Sequence, residues 1–97
     1  MDRGSALADI ADMRAALARL AGRSIDTLTH PELLTALDDI ESLTRQLPSQ
    51  TQRITSRLTA ETTPNELGAK SWRDVLTTRL RISRSDARRR LGDTEHL

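Results

Sequence analysis

Two rows of side chains recur every seven residues through the middle of this chain, and they constrain its fold more than any other feature. Leu33, Ile40, Leu47 and Ile54 form one row; Leu37, Thr44, Thr51 and Leu58 form the other. A pattern sustained over nearly four heptads suits one face of a long α-helix. It does not suit a strand, whose side chains alternate every two residues. The spacing predicts a helix over about 31–60, roughly 45 Å long at 1.5 Å per residue. Its start is marked by Thr29-His30-Pro31-Glu32. The Thr29 hydroxyl is set to accept from the Glu32 amide while the Glu32 carboxylate reaches back, and Pro31 falls where a missing N–H costs little. Pro48 interrupts the pattern. Because the register continues across it, a kinked helix is favoured over a break in which Pro48 opens a new helix.

The rest of the chain also reads as helical. Residues 5–21 form a shorter helix, with Ser5 as its cap, Gly22 just past its end, and a narrow seam of Ile10, Met13, Leu17 and Leu20. Asp2, Asp9 and Asp12 lie toward its N-terminus, where the helix dipole favours acid. This helix is about half as long as the central one and is expected to pack on part of its seam. Residues 62–70 read as a loop, with one short turn within Thr63-Pro64-Asn65-Glu66 and Gly68 as a permissive residue. Ser71 with Asp74 caps a third helix over about 71–81, whose inner face is Trp72, Val75, Leu76 and Leu80. Ser83 with Asp86 caps a fourth from about 84, whose inner face is thin, Ala87 and Leu91.

The fold class is therefore all-α. A short helix packs on a long, kinked, heptad-patterned helix, followed by a helix-turn-helix-like pair. Residues 1–66 are the helical scaffold and 67–97 the basic unit, expected to form one fold. One tryptophan, with no Phe or Tyr, leaves the core to Leu, Ile, Val, Ala and Met. The absence of cysteine excludes disulfides, thiol nucleophiles and zinc–thiolate sites, and suits a cytoplasmic setting. The longest apolar run, Ala15 to Ala18, is far too short for a membrane span or a signal-peptide core.

Charge separates the two halves. The net charge of +1 conceals five basic against eight acidic side chains in residues 1–50, and ten against six in 51–97. Between Lys70 and Arg90 there are eight against two, a field that attracts polyanions. The order Leu76-x-x-x-Leu80-x-Ile82-Ser83-Arg84-Ser85-x-Ala87-Arg88-Arg89-x-Leu91 has the form of a bacterial helix-turn-helix. Leu76 and Leu80 would pack on Ala87 and Leu91 with Ile82 plugging the turn, and the second helix would offer its outer residues to a major groove. Arg84, Ser85, Arg88 and Arg89 suit phosphate or guanine contact, with Lys70, Arg73 and Arg81 supporting them. One departure is Arg81, where such turns hold glycine; a positive φ there costs arginine roughly 1 kcal/mol.

Three readings of this basic unit stand open: DNA contact, a solvated basic helix within a larger all-α domain, or a surface for RNA or an acidic protein. The long seam carries a second possibility, dimerisation or partner binding through Leu47, Ile54 and Leu58, against intramolecular packing. For Thr51, Ile54 and Leu58 the sole evident local partner is the helix-turn-helix unit. Chemistry is not indicated. His30 and His96 are not grouped with carboxylates at ligand spacing, so no metal or cofactor is expected. Asp38-Asp39-x-Glu41 reads as a solvated face rather than an acid–base pair, and no phosphate loop or Ser/His/Asp set is present. No small-molecule substrate or membrane partner is expected.

Glu66-Leu67-Gly68-Ala69-Lys70-Ser71-Trp72, followed by Leu80 to Leu91, and Thr29-x-Pro31-Glu32-Leu33-Leu34 upstream, resemble the N-terminal helical region of the mycobacterial thirteen-E-twelve repeat proteins. The resemblance runs from about residue 25 and is most specific from Gly68 to Leu91. It implies a helical domain of unknown function, often followed by an HNH endonuclease domain, in a mobile-element or DNA-processing setting. The His-Asn-His set of such a nuclease is missing from this sequence. The resemblance therefore implies a non-catalytic front end or truncated copy of a longer protein; a truncated last helix would in turn be expected to leave apolar surface that favours a homodimer.

Overall fold

The computed structural model describes residues 3–95, with the side chains of 4–92; Asp2 and His96 lie outside the described residues. The described chain is four helices with no strand: α1 (Arg3–Ala21), α2 (His30–Glu61), α3 (Trp72–Leu80) and α4 (Arg84–Glu95), with a 3₁₀ turn over Asn65–Leu67. It divides into two compact units, and the boundary falls inside α2, between Ala36 and Leu37.

In the unit ending at Ala36, α1 starts ahead of its expected cap, so Ser5 lies within the helix. Once a helix is nucleated, each further residue adds a hydrogen bond at little cost, and nothing at Ser5 stops that propagation. No described side chain of α1 is buried. Leu7 and Leu17 are 68% and 67% exposed, and Ile10, Met13 and Leu20 are exposed with them. The packing face that the sequence assigns to α1 is left open. The helix ends in bonds from the Gly22 amide to the carbonyls of Ala18 and Arg19.

The start of α2 is the capping box. The Thr29 amide donates to Glu32 Oε1 at 2.9 Å, and the Glu32 amide donates to Thr29 Oγ1 at 3.3 Å. The bond from the Thr29 amide, joined by that to the Thr29 side chain, holds the Glu32 carboxyl below its usual range. α2 then runs unbroken through Pro48, which sets aside a separate second helix. Proline removes the donor that would serve the carbonyl of residue 44. Around it, hydroxyls bond the helix backbone: Thr44 Oγ1 to the Ile40 carbonyl at 2.9 Å, Ser49 Oγ to Gln46 at 3.0 Å, and Thr51 Oγ1 to Leu47 at 3.3 Å.

In the unit from Leu37 onward, α3 packs against α4. The buried side chains come one from each helix: Thr55 of α2, Leu76 of α3 and Ala87 of α4. Two expectations are corrected. Leu80 is exposed rather than covered. It is the last residue of α3, and the chain reverses immediately after it, so the centre of the helix lies in the packed zone and its end does not. The second correction concerns α2, which turns a threonine face inward rather than the Ile54 row. Thr55 is buried, Thr51 and Thr59 are half-buried, and Ile54 is 58% exposed. Burying threonine here is inexpensive, because Thr55 Oγ1 donates to the Thr51 carbonyl at 2.8 Å and Thr59 Oγ1 to Ser56 at 3.1 Å. No described helix is long and apolar enough to cross a membrane.

Candidate nucleic-acid interface

The basic unit is fixed at each joint by one hydroxyl or one backbone turn. Gly68 adopts φ +77°, and the amides of Leu67 and Ala69 close on the Pro64 carbonyl at 3.0 Å each. Ser71, in extended backbone, accepts the Asp74 amide at 3.1 Å and starts α3. After Leu80 the chain turns through Arg81 at φ 56°, ψ 41°, the described non-glycine residue of positive φ. The sequence flagged this position; the turn keeps its left-handed residue and arginine bears the strain. Two residues on, Ser83 Oγ accepts the Asp86 amide at 3.1 Å and α4 begins. Ala87 is wholly covered on α4, which packs against α3, so a larger side chain there would have no room.

The seven residues proposed for nucleic-acid contact separate into four groups. Arg81, Arg84 and Ser85 are exposed around the turn and the first turn of α4, with Ser85 Oγ 3.4 Å from Ser83 Oγ. Arg88 and Arg73 line one shallow recess of about 370 Å³ between α4 and the start of α3, beside Trp72 and Leu91. The Arg73 Nε is buried with no hydrogen-bond partner. Arg89 is directed to the other side, onto a groove of about 560 Å³ between α4 and α2. It is paired there with Asp86 at 2.9 Å, both side chains well exposed. Lys70 is exposed just ahead of α3 and lines neither recess.

The second groove holds two cations that the sequence did not assign to the site, Arg45 of α2 and Arg90 of α4. Arg45 makes a loose pair with Glu41 at 3.6 Å, and its side chain is 74% exposed. The threonine face of α2, through Thr44, Thr51 and Thr55, forms the floor. Thr44 and Thr51 already stand in the second heptad row; its continuation four apart to Thr55 and Thr59 is what a search for apolar rows passes over. The proposed partner residues Leu47, Ile54 and Leu58 are exposed, and Leu47 also lines this groove. Among the described residues no group of three or more His, Asp or Glu gathers to hold a metal.

The chain is similar to the mycobacterial uncharacterized protein Rv1128c of Mycobacterium tuberculosis, 39% identical over 87 residues, which are 90% of this chain and 19% of that protein. It is also 39% identical over 83 residues to uncharacterized protein Rv3466 of the same organism, covering 86% of this chain and 37% of the relative. Uncharacterized protein Mb1614c of Mycobacterium bovis is 36% identical over 83 residues, with the same coverage of both chains. The chain thus spans between a fifth and about two fifths of the length of these relatives. No solved structure matches it. The family described as a domain of unknown function, DUF222, matches residues 34–97, which begin three residues ahead of the second compact unit and include α3, the turn and α4. The chain belongs to the DUF222 family.

Proposed function

We propose that this chain is a non-catalytic DNA-binding accessory module. One observation carries the reading: the left-handed Arg81, the Ser83 cap and the fully covered Ala87 build a helix–turn–helix joint that leaves Arg84, Ser85 and Arg88 exposed on α4. A helix so presented suits a major groove, with its N-terminal residues at the base edges. The resemblance to the thirteen-E-twelve repeat proteins supports a cytoplasmic, mobile-element setting, in which HNH-type nuclease chemistry belongs to other parts of a longer chain. Binding to a mixed duplex, followed by anisotropy across a salt series, tests this. Three or four neutralised phosphates give a log K against log salt slope of about −3 to −4. Changing Arg84 and Arg88 to Ala weakens binding and flattens that slope; unchanged affinity removes the assignment.

A second reading is favoured by a different observation. Leu37, Ile40, Leu43, Leu47 and Ile54 of α2 are each 47–64% exposed, and Leu58 lies at the margin of that row. An exposed apolar row at this spacing suits dimerisation through it. This reading requires a mass that rises with concentration and that Ile54→Asp returns to the monomer; a strict monomer at all concentrations eliminates it.

A further inference from the structure

We infer that α4 is straddled by two cationic clefts that hold the two phosphate strands flanking one major groove of duplex DNA, and that Arg45 of α2 is a phosphate-binding residue. The inference rests on the DNA-binding reading above and extends it from one helix to both of its flanks. At 100° per residue, Ala87 marks the covered side of α4, and Ser85 lies close to the opposite side. Arg88 and Arg89 stand on either side of Ser85, about 60° and about 40° from it, Arg88 toward α3 and Arg89 toward α2. The structure gives each side a second arginine from a neighbouring helix: Arg73 of α3 beside Arg88, and Arg45 of α2 beside Arg89.

The occupant follows from charge and shape. A single anion would fill one cleft; an α-helix in a major groove about 12 Å wide meets a phosphate strand on each side. The pairs now made by Arg45 with Glu41 and by Arg89 with Asp86 are exposed, so exchanging a carboxylate for a phosphate costs little. On the α3 side, the Arg73 Nε is covered and has no hydrogen-bond partner, so the guanidinium keeps an unused donor.

The test is a salt series on a short mixed-sequence duplex with the full chain, its Arg45→Gln and Arg73→Gln variants, and hydroxyl-radical footprints of each strand. Each substitution lowers the magnitude of the salt slope by about 0.9, equivalent to about eightfold weaker binding at 0.1 M salt if affinities converge at 1 M. Wild type protects backbone on both strands across one major groove; Arg45→Gln loses protection on one strand and Arg73→Gln on the other. Glu41→Gln, which frees Arg45 of its carboxylate, tightens binding. Circular dichroism of the exposed Arg45 variant confirms that its helices are retained. An unchanged slope in Arg45→Gln, with a flattened slope in the Arg84 and Arg88 variants, overturns the straddle and leaves the DNA reading standing. Absence of wild-type binding at low salt overturns both.

Discussion

α1 and the α3–turn–α4 unit are opposites in what their sequences promise and what their structures cover. α1 has a regular apolar seam, and not one of its described side chains is buried. The α3–α4 unit is short and arginine-rich, yet it supplies Leu76 and Ala87, two of the three residues buried among those described. The difference lies in the joints. α3 and α4 are capped by Ser71 and Ser83, and the turn between them is fixed by a left-handed residue, so two short helices are held where Leu76 and Ala87 are covered. Periodicity defines a face; it does not provide the surface that covers it. Packing in so small a molecule follows the geometry of the turns at least as much as the number of leucines.

Truncating the core gives the largest effect and tests that contrast directly. Leu76→Ala removes the best-covered of the described leucines and is expected to cost about 2–4 kcal/mol in denaturant unfolding. Leu17→Ala, at a position 67% exposed, stays within about 0.5 kcal/mol. Equal losses at the two positions break the comparison, because the α1 seam would then be covered in solution, by a second copy or another partner. A concentration-dependent loss for Leu17→Ala alone identifies the second copy.

A glycine exchange sharpens the same comparison through the backbone. Arg81→Gly relieves the left-handed conformation and is expected to raise stability by up to about 1 kcal/mol, less the entropy of a freer unfolded chain. Ala15→Gly, in the interior of α1, lowers helix stability by about 1 kcal/mol. Thermal unfolding followed at 222 nm separates the two signs. A destabilised Arg81→Gly would mean that the arginine side chain contributes more to the joint than its backbone strain removes.

Much of this fold was legible from local chemistry. The capping box at Thr29, the Ser71 and Ser83 caps, the short turn near Pro64 and the strained Arg81 are all encoded within a few neighbouring residues, so the sequence displays them directly. The rotation of α2 was not legible, because it depends on what approaches the helix. The Leu47 and Ile54 row is the more apolar, but Thr51, Thr55 and Thr59 are smaller at the point of approach and satisfy their hydroxyls within the helix. The site divided in the same way. Arg73, Arg84 and Arg88 could be selected from local charge. Arg45, forty-four residues before Arg89, joins it through tertiary structure alone.

The smallest effect is confined to the start of α2 and depends on pH. Glu32 has its folded carboxyl pKa lowered by the bond from the Thr29 amide and then by that to the Thr29 side chain. A carboxyl held low in the folded state binds a proton less readily there than in the unfolded chain. Its stabilising contribution is therefore present above the unfolded value, near 4.5, and is lost as pH falls through the lower folded value. Acidification in that window should weaken the first turn of α2, seen as faster amide exchange at Leu33, whose amide donates to the Thr29 carbonyl at 2.9 Å. Glu32→Gln removes the titration while keeping an acceptor for the Thr29 amide, so the pH dependence at Leu33 should vanish with the turn retained. The Ser71 and Ser83 caps rest on hydroxyls that do not titrate in this range, so the bonds they accept from the Asp74 and Asp86 amides should carry no acid step of their own once the intrinsic exchange rate is removed. A common acid step at all three helix starts would show that the two regions lose their joints together, and that the difference between them is one of coverage alone.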